Sequence, residues 1–494
     1  MRYYIKVPYH TVINLLVLNR FKSKKNSKKH HLINLNNNPV EICLWVDTFG
    51  KSQPKIIPLA LTENQFQIYN KISRNYSHTF LFESLTGPEV LSETSVMGFD
   101  PKVILKGYSD RVEIITEGKM ETVQTVDPFE ELKKIIGKSE DQSYRYLGGA
   151  VGVVNYDAIR LVENIPDTHN SPQPLMEFGI YDDGILYDNL HKKLFYFYNR
   201  ENRFDKFKIS VDLFGDFKAS GVTPNMNQEN FSKIVNKAKK YIHDGDIFQV
   251  VLSRKFTFDV EGDNLTLYKT LRNLNPSPYM YHLKQDNKTI IGASPEMLVR
   301  ITNDKVETFP IAGTREITDN ERENKQMANE LLHDEKELAE HTMLVDLGRN
   351  DIGRVCKYGT VRPEELMQIK RFSHVQHIVT HLAGRLAPEY DMFDAFKAVF
   401  PAGTVSGAPK VRAMEIIDEL ESESRGPYAG AIGYFSFNGC CDFAIAIRSI
   451  FINGNKGFVQ SGAGIVSDSV AEKEFRETEH KAGAMLQALR DATK

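Results

Sequence analysis

The sequence predicts an α+β fold in which long β-sheets, flanked by helices, surround an interior cleft. Short apolar runs of the kind found in strands recur along both halves of the 494-residue chain. Longer segments with apolar residues at helical spacing lie between them and are most frequent in the second half. The composition, 41% hydrophobic and 26% charged, is ordinary for a soluble globular protein with a substantial core.

The first folded region is predicted at residues 50–198, where strand-like runs alternate with turns. A charged, weakly apolar stretch at 199–228 follows and predicts a linker, because it contains Gly221 and Pro224. Strands are predicted at 79–85, 101–107, 111–115, 149–156 and 194–198, and helices at 61–72 and 128–136.

The second region, residues 229–494, is predicted to open with a helix at 230–243, which ends at Asp244 and Gly245. A strand follows at 247–258. Further strands are predicted at 289–292, 297–302, 305–309, 428–437, 442–452 and 456–462, and further helices at 321–348, 373–386, 392–400, 408–420 and 471–490.

Residues 1–45 are predicted to be a basic extension without a packed core, because Lys and Arg cluster at 20–29 and an Asn-rich run follows. The apolar run at 11–18 is far shorter than the roughly 20 residues of a membrane-spanning helix. We therefore expect neither a membrane span nor export. Attraction of the basic residues to anionic lipid is the alternative to a solvated tail.

The charge balance, 62 basic against 65 acidic residues, gives no reason to expect a nucleic-acid partner. The four cysteines, Cys43, Cys356, Cys440 and Cys441, have neither the spacing of a metal knuckle nor a regular disulfide framework. We expect reduced thiols and a cytoplasmic location.

Two pairs of glutamates with the same three-residue spacing indicate a metal site. Glu337 and Glu340 lie in one predicted helix, and Glu474 and Glu477 lie in another. Residues i and i+3 of a helix project from one face, so each pair would present two carboxylates side by side. Carboxylates about 4 Å apart repel by roughly 4 kcal/mol at an effective dielectric of about 20, so a converging set needs a cation. Oxygen ligands favour Mg²⁺, Ca²⁺ or Mn²⁺, and two solvated helix faces are the alternative.

Four further features have residue types suited to an anionic substrate. Residues 460–464 (Gln-Ser-Gly-Ala-Gly) end a predicted strand and let backbone amides approach a carboxylate. Residues 401–410 form a small-residue loop that opens onto a helix. Arg448 lies in an apolar strand and needs an anionic partner, while Glu296 follows a strand and is a candidate proton donor. A turn, a helix cap, a structural ion pair and a solvent-facing glutamate are the respective alternatives.

Five motifs occur in a characteristic order: 292–296 (Gly-Ala-Ser-Pro-Glu), 310–315 (Pro-Ile-Ala-Gly-Thr-Arg), 340–351 (Glu-His-Thr-Met-Leu-Val-Asp-Leu-Gly-Arg-Asn-Asp), 403–410 (Gly-Thr-Val-Ser-Gly-Ala-Pro-Lys) and 460–464. Together they resemble the chorismate-utilising enzymes, specifically anthranilate synthase component I. The resemblance extends from about residue 80 to the C-terminus. It implies a large two-lobed unit in which two facing β-sheets enclose the active site and helices cover the outside.

The resemblance also implies a reaction. Chorismate and ammonia would give anthranilate and pyruvate, with Glu296 protonating the leaving 4-hydroxyl as ammonia adds at C2. His377 would assist the loss of pyruvate, and Thr404 completes the implied catalytic set. Glu340 and Glu477, helped by Glu337 and Glu474, would hold Mg²⁺, and the implied substrate contacts are Tyr428, Arg448, Gly462, Ala463, Gly464 and Lys481.

Two positions favour amination at C2 over related reactions. The water-adding enzymes resemble one another in having Lys where this chain has Gln249. Aminodeoxychorismate synthases typically carry Lys in the Pro-Ile-x-Gly-Thr motif, whereas Ala312 provides no nucleophile. Aminodeoxychorismate synthase component I is the alternative function, and a non-catalytic paralogue that senses tryptophan is a second alternative.

Regulation and ammonia supply are further implications of the resemblance. The nucleophile loop of a class I glutaminase, Gly-x-Cys-x-Gly-x-Gln, does not occur in the chain. A separate glutamine amidotransferase subunit is therefore expected to supply ammonia. Two segments resemble those that bind feedback tryptophan, and the implied inhibitor-binding residues are Glu83, Ser84, Asn275, Pro278, Tyr279 and Met280.

Overall fold

Two large antiparallel sheets form the body of the molecule. The computed structural model describes residues 53–60, 63–86, 93–169, 171–210, 213–372 and 375–493, and the predicted extension at 1–45 lies outside them. The helices are α1 (Gln65–Ser73), α2 (Pro128–Ile135), α3 (Gln228–His243), α4 (Asn264–Leu274), α5 (Glu321–Leu331), α6 (Glu335–Gly353), α7 (Met392–Val399), α8 (Lys410–Leu420) and α9 (Ala471–Ala492).

The strands are β1 (Lys55–Pro58), β2 (His78–Glu83), β3 (Thr94–Phe99), β4 (Val103–Gly107), β5 (Arg111–Thr116), β6 (Lys119–Gln124), β7 (Gly149–Val154), β8 (Met176–Tyr181), β9 (Asp183–Asp188), β10 (Lys193–Tyr198), β11 (Phe217–Pro224), β12 (Gln249–Gly262), β13 (Tyr279–Gln285), β14 (Lys288–Ser294), β15 (Met297–Thr302), β16 (Lys305–Thr308), β17 (Ile311–Glu316), β18 (Arg362–Arg371), β19 (Val375–Arg385), β20 (Gly407–Ala408), β21 (Ala431–Ser436), β22 (Cys441–Ile445), β23 (Ser449–Asn453) and β24 (Lys456–Ile465).

Each sheet takes strands from both halves of the chain. The first has the order β1-β10-β9-β3-β2-β13-β14-β23-β24-β12-β11, with β20 against β12. The second has the order β17-β19-β16-β15-β22-β21-β7-β8-β4-β5-β6, with β18 against β19. The pairs β2·β13 and β7·β21 join the predicted regions 50–198 and 229–494 within each sheet. The predicted linker, 199–228, contains β11, which pairs with β12.

The two sheets face each other, and helices cover the outer side of the first. Tyr279 of the first sheet donates its hydroxyl to Asp442 of the second across 2.9 Å. Tyr268 of α4 and Met485 of α9 pack in one buried cluster with Ile291 of β14. The predicted fold class is thereby confirmed. Within the described residues, none of the helices combines the length and the apolar character that crossing a membrane requires.

The chain crosses from one sheet to the other at residues that also carry chemistry. Glu296 lies in the short turn between β14 of the first sheet and β15 of the second. Arg448 directly precedes β23, at the end of the segment that leads from β22 in the second sheet back to the first sheet. Its φ is 52°, a conformation that costs roughly 1–3 kcal/mol for a residue other than glycine. The prediction of one strand at 442–452 was wrong, because these residues form two strands in different sheets.

Two predicted helices also need correction. Residues 373–386 were predicted as a helix, but β19 occupies 375–385 and pairs with β16, β17 and β18. Its β-branched residues, such as Val375, Ile378 and Val379, suit a central strand and outweigh the helical spacing. The predicted helix at 321–348 is divided into α5 and α6, because Asp334 accepts hydrogen bonds from the amides of Lys336 and Glu337 and so caps a new helix.

Candidate active site

The two glutamate pairs lie near the N-terminal ends of two helices. Glu337 and Glu340 belong to the first two turns of α6, and Glu474 and Glu477 belong to the first two turns of α9. The positive end of a helix dipole stabilises carboxylates in the first turn, which holds Glu337 and Glu474. Glu340 and Glu477 lie one turn further along their helices.

The charges of both pairs reach one lysine. Burial opposes the charged form of Lys336, but the hydrogen bond and charge of Asp468, together with Glu474 and Glu340, raise the pKa of this lysine. Lys336 thus lies within electrostatic range of carboxylates from both α6 and α9. Its Nζ is 3.2 Å from Asp468. Carboxylates from the two helices thus act on one common region around Lys336.

The carboxylates are partly buried and repel one another. Burial raises the pKa of Glu337, and the charge of Glu340 adds to this effect, while a hydrogen bond from Arg315 opposes it. Burial also raises the pKa of Glu474, with Ser469 opposing and the charge of Glu477 reinforcing the shift. Carboxylates that cluster repel one another, and this repulsion favours their protonated form. Such a set of oxygen donors suits a hard divalent cation, which would neutralise the charge.

The only described residues that bring three candidate metal ligands within 4.8 Å of one another are elsewhere, at Glu307, Glu364 and His381. Lys305 Nζ lies 2.8 Å from Glu307 and 2.9 Å from Glu364. A lysine already neutralises these carboxylates, so this group is an ion-pair network on the second sheet. The predicted glutamates of α6 and α9 are spaced more widely than that.

Glu296 is the buried acid of the site. Its side chain is 7% exposed, and burial raises its pKa to about 8, with Thr404 and the charge of Lys481 opposing the shift. A carboxyl group with this pKa is largely protonated at neutral pH and can donate a proton. Thr404 lies in the 3₁₀ turn Gly403–Val405, where its buried hydroxyl is close enough to Glu296 to favour the charged carboxylate but makes no hydrogen bond of ordinary geometry among the described residues.

Arg448 and Lys481 provide positive charge in the candidate site, and the charge of Lys481 acts on Glu296. Arg448 donates from Nη1 to the carbonyl oxygen of Lys481 across 2.7 Å. Burial lowers the pKa of this arginine, while Tyr428 and Glu477 oppose the shift. Lys481 Nζ is 2.6 Å from Glu477 and 3.1 Å from the carbonyl oxygen of Gly462. The guanidinium forms no ion pair of its own within the described residues, so an anionic ligand would complete its contacts.

The small residues 462–464 border this cluster. They pair with 251–253 of β12, whereas β23 pairs with β24 only as far as Val459. No described strand covers the other edge of β24 beyond that point. A Cβ on Gly462 would lie 2.9 Å from the Tyr428 hydroxyl, and one on Gly464 would lie 2.4 Å from Gln249 Nε2. Positions 462 and 464 therefore require glycine, because a Cβ at either position would lie too close to a neighbouring side chain.

His377 lies on β19 rather than on a helix. Its Nδ1 is 2.8 Å from the carbonyl oxygen of Gly313, so that Nδ1–H donates and Nε2 keeps a lone pair. Burial lowers the pKa of His377 to about 4, and the nearby charges of Arg448 and Lys481 add to the shift, although the bond to Gly313 opposes it. The imidazole is therefore neutral near pH 7 and shares its surroundings with Arg448 and Lys481.

A cavity lies between the two sheets. Five of the six predicted inhibitor-binding residues line it, and Asn275 does not. Glu83 is buried there, and both of its carboxylate oxygens accept hydrogen bonds from Arg272 while Tyr268 also donates to Oε2. The five lining residues are Glu83, Ser84, Pro278, Tyr279 and Met280.

Two residues that organise the site, Gln249 and Lys336, were not among the predicted site residues. Gln249 donates from Nε2 to Glu340 Oε1 across 2.9 Å, and the charges of carboxylates from both helices act on Lys336. The sequence singled out Gln249 only as a position that favours amination. Lys336 had no detectable signal, because its partners on α9 are more than a hundred residues away in the chain.

Comparisons with known proteins identify related chains. A family model described as chorismate binding enzyme matches residues 77–487. Anthranilate synthase component 1 of Methanothermobacter thermautotrophicus is 46% identical over 431 residues, covering 86% of this chain and 92% of the relative. The protein of the same name from Acetivibrio thermocellus is 43% identical over 474 residues, covering 88% and 96%.

Solved structures give the same result for the fold. The crystal structure of anthranilate synthase component I from Streptococcus pneumoniae superposes with a TM-score of 0.68 at 38% identity, covering 80% of this chain and 92% of that one. The menaquinone-specific isochorismate synthase of Escherichia coli superposes with a TM-score of 0.69 at 18% identity, covering 89% and 95%. At 18% identity, the second comparison supports the fold alone.

Proposed function

Since this chain belongs to the chorismate binding enzyme family and, within it, groups with anthranilate synthase component 1, we propose that it converts chorismate and ammonia to anthranilate and pyruvate. The observation that carries the proposal is the buried, largely protonated Glu296 within reach of the charge of Lys481, which also acts, together with Arg448, on His377. The site thus offers a proton donor next to cations that suit a dicarboxylate. Loss of pyruvate makes the product aromatic, which provides the driving force.

Glu296 acts in the first step. Hydroxide is a poor leaving group, so the departing 4-hydroxyl needs a proton as ammonia adds at C2. With a pKa of about 8, Glu296 holds that proton at neutral pH and releases it to the leaving oxygen. Arg448 and Tyr428 bind the enolpyruvyl carboxylate, and the amides at 462–464 bind the ring carboxylate along the uncovered edge of β24.

His377 acts in the second step. Its neutral imidazole, with Nδ1–H held by Gly313, presents the basic Nε2. This nitrogen takes the proton at C2 as pyruvate leaves and the ring becomes aromatic. The bond to the carbonyl oxygen of Gly313 fixes this tautomer and leaves Nε2 free to act as the base.

We also propose that Glu340 and Glu477 hold Mg²⁺, helped by Glu337 and Glu474. Their oxygen donors, burial and mutual repulsion fit a hard divalent cation. When bound, the cation neutralises charge on the ring carboxylate and so makes the ring a better acceptor for ammonia. Lys336 and Lys481 balance the carboxylates from the protein side.

Two side chains support amination over related reactions. Gln249 places a neutral amide beside Glu340, where a lysine would supply a base for activating water. Ala312 on β17 has no nucleophile that would form a covalent intermediate with chorismate. The relatives named anthranilate synthase component 1 agree with this choice over aminodeoxychorismate synthase.

The ammonia source and the regulation belong to the same proposal. A glutamine amidotransferase subunit supplies ammonia, because free ammonia at neutral pH is mostly the non-nucleophilic ammonium ion. Tryptophan inhibits by occupying the cavity lined by Ser84, Pro278 and Met280.

The three described cysteines, Cys356, Cys440 and Cys441, are free thiols, which supports a cytoplasmic location.

One assay tests the proposed function. Purified protein is mixed with chorismate, Mg²⁺ and excess ammonium at alkaline pH, and products are separated by chromatography with fluorescence detection. We expect anthranilate and an equal amount of pyruvate. Formation of para-aminobenzoate precursor instead would favour the alternative synthase, and turnover with glutamine alone would contradict the need for an amidotransferase subunit.

A further inference from the structure

A small cavity lies behind the proposed catalytic acid, between α6, β16 and the turn that carries Thr404. It has a volume of about 40 Å³ and is lined mostly by apolar residues, among them Leu298, Leu344 and Leu347. Its polar lining side chains include Glu296, Thr404 and Asp351. A space of this size with two to four polar partners is sufficient for bound water, for which about 10–15 Å³ suffices.

Two acidic residues, Glu296 and Asp351, line this cavity together with Thr404. Glu296 is buried, and the buried Thr404 hydroxyl lies close to it but makes no hydrogen bond of ordinary geometry among the described residues. Asp351 pairs with Lys410, whose Nζ is 2.6 Å from Oδ2. Lys410 also donates to the carbonyl oxygen of Val399 across 3.1 Å. The side chains of Asp351 and Lys410 are 14% and 13% exposed, so the ion pair keeps some contact with solvent.

We propose that water in this cavity connects Glu296 to Asp351, and that Asp351 is a positioning residue that returns a proton to Glu296 in each turnover. The inference rests on the proposed function. Glu296 gives its proton to the departing hydroxide, which becomes water and enters the cavity. The amine formed at C2 releases one proton to solvent, and Asp351 passes one proton from solvent through the cavity to Glu296. Protons and charge balance without any further reactant.

The arrangement explains why an acidic side chain is placed where its burial is costly. Burial raises the pKa of Asp351, and the charge and hydrogen bond of Lys410 oppose the shift. The Thr404 hydroxyl, which can donate and accept at once, is suited to link cavity water with Glu296. Apolar walls at Leu344 and Leu347 keep the water in one path between these groups.

The test compares Asp351→Asn with the matched control Lys410→Gln, using the full chain with chorismate, Mg²⁺ and ammonium. Asp351→Asn removes proton transfer and keeps the side-chain shape, whereas Lys410→Gln breaks the ion pair and keeps the carboxyl group. We expect Asp351→Asn to lower kcat about tenfold, less than the 10²–10⁴-fold typical for loss of a general acid itself. KM for chorismate should stay within twofold, the solvent deuterium isotope effect on kcat should rise, and Asp351→Glu should restore most of kcat.

Three outcomes would overturn the inference: kcat of Asp351→Asn within twofold of wild type, an equal loss in Lys410→Gln, or an unchanged isotope effect. If Asp351→Asn does not fold, wild-type kcat measured across H₂O–D₂O mixtures replaces it, and a linear dependence on deuterium fraction contradicts the relay. Wild-type anthranilate formation in the same assay tests the proposed function separately. An active wild type with an unaffected variant rejects the relay alone.

Discussion

Gln249 Nε2 donates a hydrogen bond to Glu340 Oε1 across 2.9 Å. This contact ties the first residue of β12 to α6, and the same amide nitrogen packs against Gly464 so closely that a Cβ there would lie 2.4 Å away. A glycine, an amide and a glutamate from three distant segments thus meet at one point. The neutral amide leaves Glu340 available to a cation and adds no base to the site.

Replacing this amide by an amine should change the reaction. We expect Gln249→Lys to reduce anthranilate formation by at least about tenfold, because the ammonium competes with Mg²⁺ for Glu340, an interaction typically worth 1.5–3 kcal/mol. In the fraction of the variant whose lysine is neutral and can act as a base, water addition at C2 should become detectable by chromatography as the hydroxylated isomer of chorismate. Gln249→Asn, which stays neutral, is the control and should yield none of that isomer. Equal product profiles in the two variants would refute the role assigned to Gln249.

Glu296→Gln should remove the proton donor with little change in shape. We expect kcat to fall by roughly 10²–10⁴-fold, the usual range for a general acid, with KM for chorismate nearly unchanged. In the wild type, kcat at saturating free ammonia should fall as pH rises above about 8, where Glu296 loses its proton. The variant should lack this decrease in kcat above pH 8. If Glu296→Gln keeps the decrease, the ionisation belongs to another group.

The same carboxyl group should affect stability with a defined sign. Its pKa rises from 4.5 to about 8 on folding, so its contribution is fully present below pH 4.5 and is lost as pH rises through 8. Glu296→Gln avoids that loss. Urea unfolding should therefore show the variant gaining stability relative to wild type between pH 4.5 and 8, and a constant difference across this range would contradict the buried, neutral state of Glu296.

Arg448→Lys should weaken substrate binding while keeping the positive charge. Lysine lacks the planar fork that binds a carboxylate through two hydrogen bonds. A charged hydrogen bond is worth about 1.5–3 kcal/mol, so KM for chorismate should rise roughly 10- to 100-fold. Arg412→Lys is a surface control, because Arg412 pairs with Asp246 and Glu415 outside the site. A similar KM in both variants would exclude Arg448 from substrate binding.

Ser84→Phe should fill the cavity between the sheets. We expect the tryptophan concentration for half inhibition to rise at least about tenfold, because overfilling a packed site costs typically 1–3 kcal/mol, while kcat stays within threefold. Glu83→Ala is a poorer test, since it would leave Arg272 and Tyr268 without their shared partner. Unchanged inhibition in a folded Ser84→Phe protein would place the tryptophan site elsewhere.

Much of the fold was predictable from local patterns. The α+β class, α3, the strand at 247–258 and the helix after residue 471 follow from hydrophobic spacing and capping residues. The errors arose where tertiary context decides. Residues 375–385 have helical spacing but form β19 because strands on both sides complete their backbone hydrogen bonds. Residues 442–452 read as one apolar run, and only the three-dimensional fold shows that they change sheets before Ser449.

The site was predictable to the extent that its residues carry local signals. The i, i+3 spacing of glutamates and the glycines after a strand are visible in sequence. The raised pKa of Glu296 depends on burial between two sheets, and the contact from Gln249 to Glu340 joins segments 91 positions apart. Such long-range relations have no signature in a single sequence. The cavity behind Glu296 likewise exists only where α6 meets the turn at Thr404.

Metal dependence tests the convergence of α6 and α9 most directly. Wild type and Glu340→Gln are treated with EDTA, and anthranilate formation from chorismate and ammonium is then followed as Mg²⁺ is added back. We expect wild-type activity to vanish with EDTA and return with Mg²⁺, and Glu340→Gln to require at least about tenfold more Mg²⁺, as expected for losing one charged ligand worth more than 1.4 kcal/mol. Full activity of the wild type in EDTA would contradict a cation held by these glutamates.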